Sequence, residues 1–131
     1  MLMKKILLFV LLIASCQLAM AQKKTPTRPP TAFIYEVDAV KNLVDGEIDR
    51  SSCQVTRQPG KIIWKSDENT LVFIITKTTW KSKTHVEYVA SQGNVDARWV
   101  FKEVKGEKQI AFFTDRVAMV MRVSDTYTKA L

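Results

Sequence analysis

Apolar residues in the second half of the chain recur in short runs with a period of two, and each run ends in residues suited to turns. The runs fall at residues 53–65, broken at Pro59-Gly60, and at 70–80, 84–90, 97–104, 109–113 and 116–123. Between them stand Asp67-Glu68-Asn69, Lys81-Ser82-Lys83, Gln92-Gly93-Asn94, Lys105-Gly106-Glu107 and Thr114-Asp115. None of these connectors is long enough for a helical crossover, so neighbouring runs are expected to pair as antiparallel strands. Residues 31–40 fit a helical stripe through Phe33, Val37, Val40 and Val44, but they also alternate as Phe33, Tyr35, Val37 and Ala39 against Glu36 and Asp38. Aromatic and β-branched content favours the strand. Asp45-Gly46 then reads as a turn, and residues 47–54 as a weaker, more polar strand or an edge.

Alternation also assigns faces. Ala97, Trp99 and Phe101 oppose Arg98 and Lys102; Val86, Tyr88 and Ala90 oppose His85 and Glu87; Val117, Met119, Met121 and Val123 oppose Ala118, Val120 and Arg122. Residues 70–80 differ, because Leu71, Phe73 and Ile75 alternate with Val72 and Ile74, leaving both faces apolar. Such a strand needs cover on two sides: as a central strand, under the N-terminal segment, or against another chain. About eight strands joined mostly by tight turns predict an all-β, single-domain antiparallel meander, a closed or nearly closed barrel over residues 31–131. A β-sandwich is the alternative, with the longer connection its Greek key would need found only near residues 41–52.

The start of the chain is different. Lys4-Lys5, the apolar run 6–14 and the small-residue site Ala19-Met20-Ala21 predict a secretory signal peptide over residues 1–21. Export to the periplasm or beyond follows. Ile13-Ala14-Ser15-Cys16 also resembles a bacterial lipobox, so lipidation of Cys16 and anchoring to the outer membrane is the alternative, and the only route to membrane contact expected from the sequence. Residues 22–30, QKKTPTRPP, read as an extended linker. Cleavage before Gln22 leaves Cys53 as the single cysteine, so packing rather than a disulfide must hold the fold. The net charge of +7 suggests an anionic partner until it is located. Residues 31–131 hold 15 basic against 13 acidic side chains, and most of the excess lies in the signal and linker. Export and a near-balanced domain argue against nucleic acid, despite Trp64, Trp80 and Trp99 standing beside basic residues.

The signal ending in Ala21-Gln22, the opening strand Phe33-Ile34-Tyr35-Glu36-Val37 and the short-turn meander together resemble the small exported lipocalin-like, or calycin-like, barrels of Gram-negative bacteria. That resemblance implies an apolar ligand inside the barrel. The Gly-x-Trp motif of true lipocalins is absent; Gly60-Lys61-Ile62-Ile63-Trp64 has a different spacing and lies later in the chain.

Little else in the chain carries chemistry. His85 is the only histidine and falls on a polar parity beside Glu87; no cluster has metal-ligand spacing, and no cofactor motif is present. Cys53 reads as a small buried apolar residue, so a Cys53–His85 dyad is not favoured and no catalytic residue is assigned. Glu103 shares the parity of Trp99 and Phe101 and reads as a rim residue or a polar contact for something bound within. The surplus of large side chains on one parity, Tyr35, Phe73, Tyr88, Trp99, Phe101, Phe112, Met119 and Met121, either fills the lumen or lines an apolar cavity. The leading expectation is a non-catalytic exported barrel that binds a small apolar or amphipathic ligand. The alternative is a protein-binding or envelope-structural module using the strand at 70–80 to hold an envelope partner.

Overall fold

The computed structural model describes residues 30–131, and its described part is all strand and turn. The signal peptide expected over residues 1–21, Cys16 within it, and all but the last residue of the 22–30 linker lie outside the described residues. Nine strands follow in order: β1 (Thr31–Asn42), β2 (Ile48–Asp49), β3 (Cys53–Gln58), β4 (Lys61–Lys65), β5 (Thr70–Ser82), β6 (His85–Gln92), β7 (Val95–Val104), β8 (Glu107–Phe113) and β9 (Ala118–Ala130). Every pairing is antiparallel between neighbours, from β3 through β9 in sequence order.

Closure comes from β1, which pairs with β3 on one edge and with β9 on the other, so eight strands form a continuous ring. The β1–β9 ladder runs from Thr31↔Ala130 to Asn42↔Met119 with two bulges near Val37. A ring of ladders has no second sheet, which removes the sandwich. The short β2 continues the β3 edge of β1 through Val40↔Asp49 and Lys41↔Ile48, so the weak strand expected at 47–54 is two pieces separated at residues 50–52. Turn chemistry agrees with the ring. Pro59-Gly60, with Gly60 at φ 81°, makes the tight β3–β4 reversal, and Lys105 and Gly106, at φ 53° and 80°, form the two-residue β7–β8 turn that requires positive φ at both positions.

Parity sorts the side chains as expected. Val37, Val55, Ile62, Phe73, Val86, Trp99, Ile110 and Met121 face the lumen and form one buried cluster. Three departures stand out, the first two with a physical reason. Strand β9 continues seven residues past Val123, because Ser124 to Ala130 gain a full ladder against β1 that outweighs their polarity. A bulge between Ile75 and Lys77 shifts the parity of β5, so Thr78 and Trp80 oppose the inward Tyr88 and Val86, whereas unbroken alternation would turn Trp80 outward. The outer face of β5 is not covered: among the described residues Val72 and Ile74 remain 39% and 55% exposed.

Candidate functional site

Hairpins alternate between the two ends of an up-and-down barrel, so the sequence decides what gathers at each. One end, called here the mouth, holds the start of β1, the end of β9 and the β3–β4, β5–β6 and β7–β8 tips. The opposite end holds the β1–β2, β4–β5, β6–β7 and β8–β9 connections.

The half of the lumen toward that opposite end is packed with rings. Trp99 lies 4.8 Å from Phe112 and 5.4 Å from Phe73, centroid to centroid, and Trp64 closes the group at 5.8 Å from Trp99 and 5.4 Å from Phe112. These edge-on and tilted contacts suit the ring quadrupoles. Ala90 and Ala97, opposite each other, give the bulky neighbours room. Of the inward residues expected to touch a ligand, Phe73, Trp99, Phe112 and Met121 are therefore buried in this packing, with Met119 against it.

Tyr35, Tyr88 and Phe101 belong to the other half, where the structure adds a residue the sequence reading missed. Arg57 follows Val55 on the inward parity of β3, opposite Phe33. Its guanidinium carbon sits 4.5 Å from the centre of the Phe33 ring, 5.3 Å from Phe101 and 6.0 Å from Tyr35. Nη1 donates to the Tyr88 hydroxyl at 3.0 Å, while the buried Nε has no hydrogen-bond partner. Among the described residues no carboxylate lies within ion-pair distance of Arg57. Burial works against the charge of Arg57, but its neighbours Tyr35 and Tyr88 outweigh that and hold its pKa above the ordinary value. Burial also pushes the Tyr35 phenol up, against the opposing pull of Arg57.

Above Arg57 the mouth forms a concavity of about 160 Å³ walled by Phe33, Tyr35, Trp80, Val86 and Phe101 and rimmed by Lys83, Lys102, Glu103 and Lys108. Glu103 is thus a rim residue. A larger open groove of about 740 Å³ follows β9 and shares Glu103, Lys108 and Gln109 with the mouth. Its other charges, Lys41, Arg50 and Arg122 against Glu107 and Asp125, are mixed, so it presents no single sign of charge. The β8–β9 ladder stops at Gln109↔Arg122 while β9 runs on with β1, and that parting of strands joins the groove to the mouth.

Charge separates between the ends more sharply than composition suggests. Around the mouth stand Arg57, Lys61, Lys81, Lys83, Lys102, Lys105, Lys108 and Lys129, against Glu103 and Glu107. At the opposite end stand Asp45, Glu47, Asp49, Asp67, Glu68, Asp96 and Asp115, against Lys41, Arg50, Lys65 and Arg116. Near-neutrality of the domain hides a basic end and an acidic end.

Other candidates stay apart. His85 Nε2 lies 3.5 Å from Glu87 on β6, itself 3.8 Å from Arg98, and the half-buried Cys53 sits three strands away on β3 with its thiol pKa pushed up by burial. Among the described residues no group of three or more His, Cys, Asp or Glu side chains could hold a metal ion. No protein-family model and no curated protein sequence matches the chain.

Proposed function

We propose that the protein is a non-catalytic, lipocalin-like binding barrel that takes a small amphipathic molecule with an acidic head group at its mouth. One observation carries the reading: Arg57, which lines an apolar-walled concavity, is a half-buried cation with a buried N–H that lacks a partner and, among the described residues, no carboxylate within ion-pair distance. An unmet buried donor costs about 1–3 kcal/mol, and although Trp99 Nε1 in the packed core is unmet as well, Arg57 combines it with a charge and a place on the wall of a concavity. An acidic head would receive charge-assisted hydrogen bonds from Arg57. The tail would lie against Phe33, Trp80, Val86 and Phe101, and the side opening past Lys108 gives it room beyond the mouth itself. Compared with the ligand set expected from sequence, the reading keeps Tyr35 and Phe101 as contacts, makes Tyr88 the hydrogen-bond partner that positions Arg57, and assigns Phe73, Trp99, Phe112, Met119 and Met121 to support. The signal-like start fits a protein that works in the periplasm or outside the cell, with a Cys16 lipid anchor as the alternative.

The test is a tryptophan-fluorescence titration with three probes of equal chain length: decanoate, decanol and decylamine. Decanoate is expected to bind saturably, and Arg57→Gln to weaken it by about tenfold or more. Equal binding of the alcohol, or an unchanged constant in Arg57→Gln, would remove the proposal.

A second reading rests on the outer wall. Ile63, Val72 and Ile74 stand side by side on β4 and β5, the last two exposed, which suits a protein partner. It predicts a dimer or a captured envelope protein that Ile74→Lys disperses, seen by size exclusion with light scattering; a monomer that captures nothing from envelope extracts speaks against it.

A further inference from the structure

The mouth end combines features that the ligand pocket alone does not use. Its cations stand on the tips around the opening: Lys81 and Lys83 at β5–β6, Lys105 at β7–β8 and Lys61 at β3–β4. Interleaved with them are exposed apolar side chains, Trp80 at 58%, Leu131 at 56% and Val104 at 49%. Paired with a balanced wall, a basic rim with an aromatic tip at its edge is suited to an interface that is anionic at its surface and apolar just beneath. We infer that the mouth end docks face-on against an anionic lipid bilayer, with the lysines at head-group level and Trp80 entering the interface.

Charge complementarity commits the occupant. The acidic opposite end would be repelled by the same surface, so the two ends together set a single orientation. Exposed apolar tips occur at the opposite end too, at Leu43, Val44 and Val95, but there they stand among carboxylates; only at the mouth do they share the rim with cations, the pairing that an anionic bilayer takes. The barrel does not span the bilayer in this arrangement, because its outer wall carries Asp38, Glu87, Arg98 and Arg122 where a lipid-facing wall is apolar. Contact is made by the folded barrel itself and needs no lipid on Cys16. Lys23, Lys24 and Arg28 lie outside the described residues, and the docking face is built without them. Face-on docking also places the Arg57 concavity against the bilayer. The inference does not depend on that pocket having a ligand.

The experiment is vesicle co-sedimentation with the chain from Gln22 onward, which keeps every strand of the closed ring. Vesicles of phosphatidylcholine alone are compared with vesicles containing phosphatidylglycerol. Binding is expected only to the anionic vesicles and is expected to vanish near 1 M salt, where the screening length is about 3 Å. The combined variant Lys81→Gln, Lys83→Gln, Lys105→Gln should lose on the order of a hundredfold, at about fivefold per cation. Lys65→Gln with Arg116→Gln, at the opposite end, should lose nothing, and Trp80→Ala should weaken binding several-fold. Arg57→Gln should cost vesicle binding no more than the loss of one rim lysine while removing the preference for decanoate over decanol, which separates failure here from failure of the ligand proposal. Equal binding to neutral vesicles, an unchanged rim variant, or loss produced only by neutralising Lys23, Lys24 and Arg28 would each overturn the inference. So would displacement by polyglutamate with Trp80→Ala silent, since that describes a general polyanion surface.

Discussion

The two halves of this barrel are built from the same alternation and reach opposite states. Toward the acidic end the lumen is closed by Trp64, Phe73, Trp99 and Phe112, each ring against another. Toward the basic end the rings of Tyr35, Tyr88 and Phe101 surround a guanidinium with an N–H to spare. Inward parity alone does not distinguish core from site, and neither does an unmet donor, because the buried Trp99 Nε1 has no partner either; what separates the halves is that only the second sets a charged group beside a concavity. The first half is where stability resides, and the second is where the protein has given some of it up.

The largest expected effect tests that division directly. Trp99 is fully buried, so Trp99→Ala should cost about 3–5 kcal/mol and abolish or sharply lower the urea midpoint followed by circular dichroism. Trp80→Ala, at the mouth, should stay within about 0.5 kcal/mol. Comparable losses at the two tryptophans would erase the distinction between a packed half and an open one.

Next in size is the guanidinium. Replacing a buried charge by an apolar group of similar volume is often neutral or stabilising. Arg57→Met is therefore expected to leave the stability from urea unfolding unchanged or raise it by about 1 kcal/mol, while removing the preference for decanoate over decanol. A large destabilisation with no change in preference would return Arg57 to the core. Smaller still is Glu103, the carboxylate on the mouth rim. Glu103→Gln removes repulsion of an acidic head and is expected to tighten decanoate by about two- to fivefold, on the scale of partly screened charge interactions. Weakened binding would mean that Glu103 holds the rim lysines in place.

Much of this was legible before any coordinates. The strand count, the hairpin turns and the inward sets of β6, β7 and β9 follow from a period of two with Gly, Asn and Asp at the breaks. What escaped depended on contacts distant in sequence. The last stretch of β9 is polar by composition and becomes strand only because β1 lies alongside it. Trp80 takes the inward parity at the exposed rim because one extra residue near Thr76 resets the alternation, and no local pattern marks a bulge. Arg57 was within reach: two residues after Val55 on an unbroken strand, it has to point inward, but a search for apolar inward positions passes over a charged one. The separation of charge between ends needed only the list of hairpins at each end, which net charge by segment does not give.

The smallest expected effect lies in the alkaline limb of stability and belongs to the mouth. Burial raises the Tyr35 pKa above the ordinary value of 10.0, with Arg57 pulling the other way. A phenol that resists ionisation in the folded state but ionises freely in the unfolded chain leaves stability untouched below its unfolded pKa. Above it, the unfolded chain loses protons first, and stability falls as pH rises from about 10 toward the higher folded value. Tyr35→Phe removes that group from both states, so the variant should lose less stability than the parent between about pH 10 and 11 and behave alike below about pH 9. Urea midpoints across that range measure the difference, and tyrosinate absorbance of the folded variant should lack a late-titrating phenol that the parent shows. The thiol of Cys53 and the phenol of Tyr127 are also shifted upward and contribute to the parent's slope, but they are common to both proteins and cancel in the comparison. Arg57→Met sharpens the result: without the guanidinium that stabilises the phenolate, Tyr35 should titrate later still and the alkaline loss should deepen. An unchanged limb in both variants would mean that solvent reaches Tyr35 freely, and the mouth would then be wetter and wider than the ring contacts around Arg57 imply.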